Sequence, residues 1–263
     1  MLAESCSLLN LRERIPAHVI QFQEPTRVAF SLSITEVRVW SANLSSFQAR
    51  VGEFFATLSD DERRRAERFH FRVDHDRFVI SRALLRKLLG GYLGCKGHSL
   101  LFSYGRFGKP ALMPNHPAIH FNVAHAKGWA AFAFCRAAQV GVDVEDVNRV
   151  VDWDGIASRF FAQEEVAWIR AAGKGRELAA FFRCWTRKEA VLKALGEGLN
   201  FPLTGVDVVS QPGTAVWHAP FRAASDSLWK ITDLDCSPEC CGAVAVSNSE
   251  LFVIGNQLPA SFR

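Results

Sequence analysis

The chain contains no apolar run approaching the roughly 18 residues of a membrane-spanning helix. Its opening, Met1-Leu2-Ala3-Glu4-Ser5, has neither the basic n-region nor the long apolar h-region of a secretion signal. Both absences predict a cytoplasmic protein with no membrane partner. Cysteine occurs seven times, an odd number without the spacing of a disulfide framework, which predicts reduced thiols. The one tight group, Cys236, Cys240 and Cys241, has no histidine following nearby and so lacks the fourth ligand of a structural zinc site. Nor is either charge sign in large excess: a net charge of +4 is too small to demand nucleic acid, and none is expected as a partner.

What the chain does hold is apolar content, 49% of 263 residues, ample for one large domain or two small ones. Its basic residues gather in Arg63–Arg65, Arg68, Arg72, Arg77, Arg82 and Arg86-Lys87. For Arg63–Arg65 a solvated helix face is the favoured reading, and phosphate binding is the alternative for those farther along.

Two stretches about forty residues apart carry the chemistry. In Val140-Gly-Val-Asp-Val-Glu145, strand alternation puts Asp143 and Glu145 on one face and Val140, Val142 and Val144 on the other. In Phe181-Phe-Arg-Cys-Trp-Thr-Arg-Lys-Glu-Ala-Val-Leu-Lys193, helical spacing stacks Glu189 and Lys193 one turn apart. Taken alone, the first pair reads equally as two solvated acids and the second as an ordinary helix ion pair. Together they supply hard carboxylate oxygens beside cations, a set suited to Mg2+ and a pyrophosphate.

As they stand, these residues resemble the Sfp-type 4′-phosphopantetheinyl transferases, whose signatures read roughly (V/I)-G-(V/I)-D-(V/I)-E and F-x-x-x-W-(S/T)-x-K-E-A-x-x-K. Gly108-Lys109-Pro110 and Phe121-Asn-Val-Ala-His125 match two weaker blocks in the expected order, so the resemblance runs from about Asp60 to Gly198. It implies Mg2+-dependent transfer of 4′-phosphopantetheine from coenzyme A to a serine of an apo acyl or peptidyl carrier protein, releasing 3′,5′-ADP. This is the holo-[acyl-carrier-protein] synthase reaction, used in fatty acid, polyketide and nonribosomal peptide synthesis. The resemblance further implies Asp143, Glu145 and Glu189 as metal ligands and Lys188 and Lys193 on phosphate oxygens. Lys109 would contact CoA, and Arg72, Arg77 and His125 would hold its 3′-phosphate. Asp143, Glu189 and Lys193 are then the catalytic set, with Glu189 taking the serine proton directly or through a water. One departure stands out: the family's commoner S-H-S is here Ala124-His125-Ala126, two hydroxyl donors short, for which arginine forks could compensate. A CoA pyrophosphohydrolase, with water replacing the serine, is the rival reading. A binding subunit that has lost its chemistry is a third, disfavoured by the intact carboxylates.

The element pattern reads as a duplication. Ser59-Asp-Asp-Glu62 has the form of a capping box, and a helix from about Asp74 carries Phe78, Val79, Ala83, Leu84, Leu88 and Tyr92 up to Gly94. Strands are expected at Leu100–Tyr104, Ile119–Ala124 and Trp129–Phe134. The second half repeats this order: strand Val140–Glu145, helices near Gln163–Ala171 and Glu177–Leu195, then strands near Val206, Trp229 and Gly242–Val246. Glu36–Trp40 overlays Gln139–Asp143, which matches Trp40 to Asp143 and Ala42 to Glu145; a shifted register matches Ala83–Gly90 to Glu189–Gly196. The expected fold is thus α/β (α+β), a pseudo-twofold pair of similar halves. Residues 1–137 would supply the CoA nucleotide contacts and 138–263 the metal and catalytic residues, with the active site at the seam. The pseudo-dimer predicts a monomer in solution, consistent with the fold the resemblance implies.

Overall fold

The structure, a computed structural model, describes residues 19–23, 25, 28, 30–196, 202–210, 214–217 and 227–262. The opening segment read against a secretion signal, and Gly198 at the far end of the resemblance, lie outside the described residues. The first half runs β1 (Val19–Gln21), β2 (Glu36–Asn43), α1 (Val51–Ala56), α2 (Asp60–Ala66), α3 (Arg72–Leu93), β3 (Phe102–Tyr104), β4 (Pro110–Leu112), β5 (His120–Ala126) and β6 (Trp129–Cys135). The second runs β7 (Val140–Asp146), α4 (Trp153–Phe160), α5 (Gln163–Arg170), α6 (Glu177–Leu195), β8 (Val206–Asp207), β9 (Thr214–Trp217), β10 (Ser227–Ser237), β11 (Cys240–Val246) and β12 (Phe252–Gln257).

The halves share one topology. In each, the strand before the long helix pairs antiparallel with the second strand of a hairpin after it, which pairs antiparallel with the hairpin's first strand: β2-β6-β5 and β7-β11-β10. One face of each sheet packs on the other through Val37, Val39, Ala131 and Ala133 against Val140, Val142, Val144 and Val246. The opposite faces carry α3 and α6. Edge strands β5 and β7 meet at the seam, where the buried Asn122 Oδ1 accepts from the Val142 N–H at 2.9 Å. The expected junction near residue 137 falls in the short β6–β7 connection, yet the terminal strands cross it. β1 pairs parallel with β10 of the second-half sheet, and β12 pairs parallel with β2 of the first.

A buried ion pair recurs in both halves. Glu62, third residue of α2, is 1% exposed; its Oε2 accepts from the Ser59 N–H at 3.0 Å and from Arg86 Nε of α3 at 2.7 Å. Arg86 Nη1 also donates to the carbonyls of Gly97 and Leu100, which bracket a 3-10 turn. In the second half Glu165 of α5, fully buried, accepts from the Ala162 N–H at 2.9 Å and from Lys188 Nζ of α6 at 2.7 Å. Lys188 then donates to the carbonyls of Leu203 and Val206, bracketing the next 3-10 turn. Each capping glutamate is thereby tied to the long helix and to the chain that follows it.

These ties revise the overlay of the long helices. Arg86 corresponds to Lys188, and Gly94 (φ +65°) corresponds to Gly196 (φ +75°), each ending its helix in the left-handed conformation. The match of Gly90 to Gly196 is therefore displaced by about one helical turn, and Ala83 is not the counterpart of Glu189. Gly90 lies inside α3, where a side chain would meet Cys95 O at 2.7 Å. The strand overlay stands by face: Trp40 and Ala42 point at α3 as Asp143 points at α6, and Trp40 Nε1 donates to the Tyr92 hydroxyl at 2.6 Å. Among the described residues no helix is long and apolar enough to cross a membrane, and the six described cysteines are free thiols.

Removing one partner of a buried pair strands the other charge, at a cost of about 3–5 kcal/mol. Lys188→Met should lower the urea-unfolding free energy by that order. Phe252, 68% exposed on β12, offers a control whose change to Thr should move it little.

Candidate active site

The site is a wall made by β7 and the last turns of α6. Gly141 lets the two approach: a Cβ there would sit 2.0 Å from Ala190 O and 2.4 Å from Ala194 N. Just beyond it Asp143, 4% exposed, accepts from Lys193 Nζ at 2.5 Å. Glu145, half-buried, lies 3.6 Å from Arg149 Nη1. Glu189 faces both strand acids. Its carboxyl is pushed up to about 7, first by burial and then by the Asp143 charge, with Lys193 opposing. Burial likewise raises Asp143 against the pull of Lys193, and raises Glu145 together with the Asp143 charge.

Two oxygens of this set, Asp143 Oδ2 and Glu189 Oε1, are buried with no hydrogen-bond partner. Such atoms ordinarily find a partner, so they call for a cation or a proton. Among the described residues, no group of three His, Cys, Asp or Glu side chains is drawn close enough to grip a metal as the side chains stand. The Lys193 ammonium instead supplies the positive charge at Asp143. The donors are all hard oxygens, which fits Mg2+ in chemistry.

The second feature is basic. A cavity of about 690 Å3 is lined by Arg64, Arg65, Arg68, Phe69 and Tyr104 together with Asp61 and Glu62, and Arg65 and Gly108 are shared with a pocket of about 190 Å3 that also has Ser81, Arg82 and His125 on its walls. Arg82 lies over the rings of Phe78 and Phe102, is 3.5 Å from Glu62, and has a buried Nη1 without an acceptor. Burial, reinforced by Lys193 and Arg77, lowers the His125 pKa below the usual imidazole value. His125 thus lies between the basic pocket and Lys193.

Asp143, Glu145, Glu189 and Lys193 come together as expected, and Arg77 lies within electrostatic reach of His125. Three expected residues stand apart from this cluster. Lys188 does not face the site: it is fully buried, and its ammonium is taken up by Glu165 and two carbonyls, leaving no donor for phosphate. Arg72 is on the first turn of α3, with its side chain 90% exposed and 3.6 Å from Asp76. Lys109 gives its ammonium to Ala194 O at 2.8 Å and Val140 O at 3.3 Å rather than to the basic pocket. Arg64 and Arg65 are exposed, as a solvated helix face requires, with Arg65 also bordering both pockets, and Arg82 has a definite place. Its signal was the i, i+4 row of Phe78, Arg82 and Arg86 along one face of α3.

Residues 139–246 match the family model described as the 4′-phosphopantetheinyl transferase superfamily, and residues 38–136 the one described as 4′-phosphopantetheinyl transferase, N-terminal. The chain is 33% identical over 214 residues to the 4′-phosphopantetheinyl transferase HetI of Nostoc sp., covering 81% of this chain and 88% of the relative. It is 29% identical over 155 residues to the 4′-phosphopantetheinyl transferase Sfp of Bacillus subtilis, covering 59% and 67%.

Glu189 provides a pH test on the metal-free protein. A carboxyl whose pKa is raised on folding contributes stability below its unfolded pKa, and that contribution is lost as pH rises through the folded value, here about 7. Each tenfold change in proton affinity on folding is equivalent to about 1.4 kcal/mol. In the presence of chelator, Glu189→Gln should melt several degrees above wild type at pH 8, with the gap closing by pH 5. Equal melting temperatures across that range would place Glu189 in an ordinary solvated setting.

Proposed function

This chain belongs to the 4′-phosphopantetheinyl transferase superfamily and is an enzyme of that class, and from that premise we propose that its donor is coenzyme A and its acceptor a serine of an apo acyl or peptidyl carrier protein. The observation that carries the reading is the convergence of Asp143, Glu145, Glu189 and Lys193 on one wall, beside a pocket bearing Arg65, Arg82 and His125. Asp143, Glu145 and Glu189 would hold Mg2+, which supplies charge stabilisation to the pyrophosphate. Lys193, already seated on Asp143, is placed to turn to a phosphate oxygen. The serine oxygen attacks the phosphorus that carries pantetheine, the bond from that phosphorus to the bridging oxygen breaks, and 3′,5′-ADP leaves with the electron pair. Glu189 takes the serine proton, directly or through a water; its raised pKa suits a base working near neutral pH. Arg65, Arg82 and His125, with Arg77 nearby, would hold the 3′-phosphate, replacing the donors absent at Ala124 and Ala126. A mildly basic surface suits an acidic carrier. The enzyme acts as a cytoplasmic monomer in this reading.

Intact-mass measurement of several apo carriers after incubation with CoA and Mg2+ tests the assignment: one phosphopantetheine should be added per carrier. Phosphopantetheine released with no carrier modified would instead make the protein a CoA pyrophosphohydrolase. Asp143→Ala should abolish transfer in a folded protein, while Ala42→Ser, on the first-half strand that lacks the Asp143 and Glu145 carboxylates, should leave turnover of the folded enzyme intact. A charge-assisted contact is worth about 1.5–3 kcal/mol, or roughly 10- to 150-fold in affinity. Arg82→Ala should therefore weaken CoA binding within that range and reduce the preference for CoA over dephospho-CoA. An unchanged preference would move the 3′-phosphate elsewhere.

A further inference from the structure

Lys109 is the first-half cation that reaches both elements of the catalytic wall. Its backbone is held by the β3–β4 hairpin, where the Gly105 N–H donates to Lys109 O at 2.9 Å. Its side chain crosses the seam. There Nζ donates to Ala194 O, in the last turn of α6, at 2.8 Å, and to Val140 O, at the start of β7, at 3.3 Å. Ala194 follows Lys193 directly, and Val140 lies one residue before Gly141, where α6 and β7 come into backbone contact. A carbonyl in the last turn of a helix has no partner within the helix and favours a cation. Among the described residues the ammonium has no carboxylate partner, and burial lowers its pKa to about 8. The two seam carbonyls hold it in place.

We propose that Lys109 is a positioning residue for the transfer reaction: it bolts the end of α6 to the start of β7, and so sets Glu189 and Lys193 against Asp143 and Glu145. The neighbouring Gly108 lines both basic cavities, so the same hairpin forms a wall of the nucleotide pocket and aligns the acidic wall. The inference rests on the proposed reaction for its kinetic consequence but not for its structural one. Displacements near 1 Å from a productive geometry can lower rates about a hundredfold.

The test uses Lys109→Met, which keeps length and apolar bulk but removes the donors, and Lys109→Arg, which can again bond two carbonyls. Lys109→Met should lower kcat about 10- to 100-fold with KM for CoA within about threefold, and Lys109→Arg should recover most of kcat. Independently of turnover, amide hydrogen exchange in residues 190–195 should accelerate in Lys109→Met at least about tenfold, while the first turns of α6 keep their protection. If Lys109→Met is too unstable to assay, Lys109→Gln carries the same measurements. A tenfold rise in KM for CoA with kcat retained would make Lys109 a donor contact and overturn the proposal. So would unchanged kcat and unchanged exchange. If wild type transfers nothing to any carrier, the reaction reading fails while the exchange result still decides the role of Lys109.

Discussion

The buried bond between a capping glutamate and a cation of the long helix is the constraint on which both halves are built. In each half it ties three pieces that would otherwise pack independently: the short helix, the long helix and the 3-10 turn that follows. In the second half it also sets the rotation of α6 about its axis. Arg187 is locked to Asp233 of β10 by two hydrogen bonds, at 2.8 and 2.9 Å, and Lys188 to Glu165. Successive helical residues are turned by about 100°. With those two directions taken, Glu189 is left to face β7.

The active wall is the cost of this order. Three acids share a poorly solvated space with one ammonium, and the carboxyl pKa values rise in consequence. The first half resolves the same place differently. Trp40 and Tyr92 fill it with an aromatic pair, and burial pushes the Tyr92 phenol up to about 12. One copy of the duplicated unit thus became a well-packed core, and the other kept unsatisfied charge where chemistry can use it.

Much of this was legible in the chain. The twofold period of Val140–Glu145 separates packing valines from acids without ambiguity, and the i, i+4 spacing of Glu189 and Lys193 holds because both lie on one long helix. What the chain left unread has common physical causes. Lys188 is adjacent to Glu189 in the motif, but adjacent helical residues point in well-separated directions, and the local pattern does not say which points inward. Its partner Glu165 comes from another helix. Lys109 was placed by its motif, yet its side chain follows the seam, a tertiary feature. Arg72 and Arg82 belong to one basic run; α3 turns the first to solvent and the second to the pocket. Gly94 is the stop the helix pattern marks, and only the overlay, drawn on helix periodicity, paired Gly196 with Gly90 instead. The short strands β1, β4, β9 and β12 carry little period of their own, and strand pairing from across the fold holds them in place.

The crossing of the terminal strands makes the two halves a single cooperative unit rather than two domains joined by a hinge. β12 covers the flank of β2 that β6 leaves open, and β1 occupies the part of β10 beyond the end of β9. Neither sheet is complete within its own half of the chain, and β1 and β12 touch one another. Heat or denaturant therefore meets one latch common to both sheets. A cut in the β6–β7 connection would leave two fragments still laced together by each other's strands, whereas either half made alone would present a bare, adhesive sheet edge.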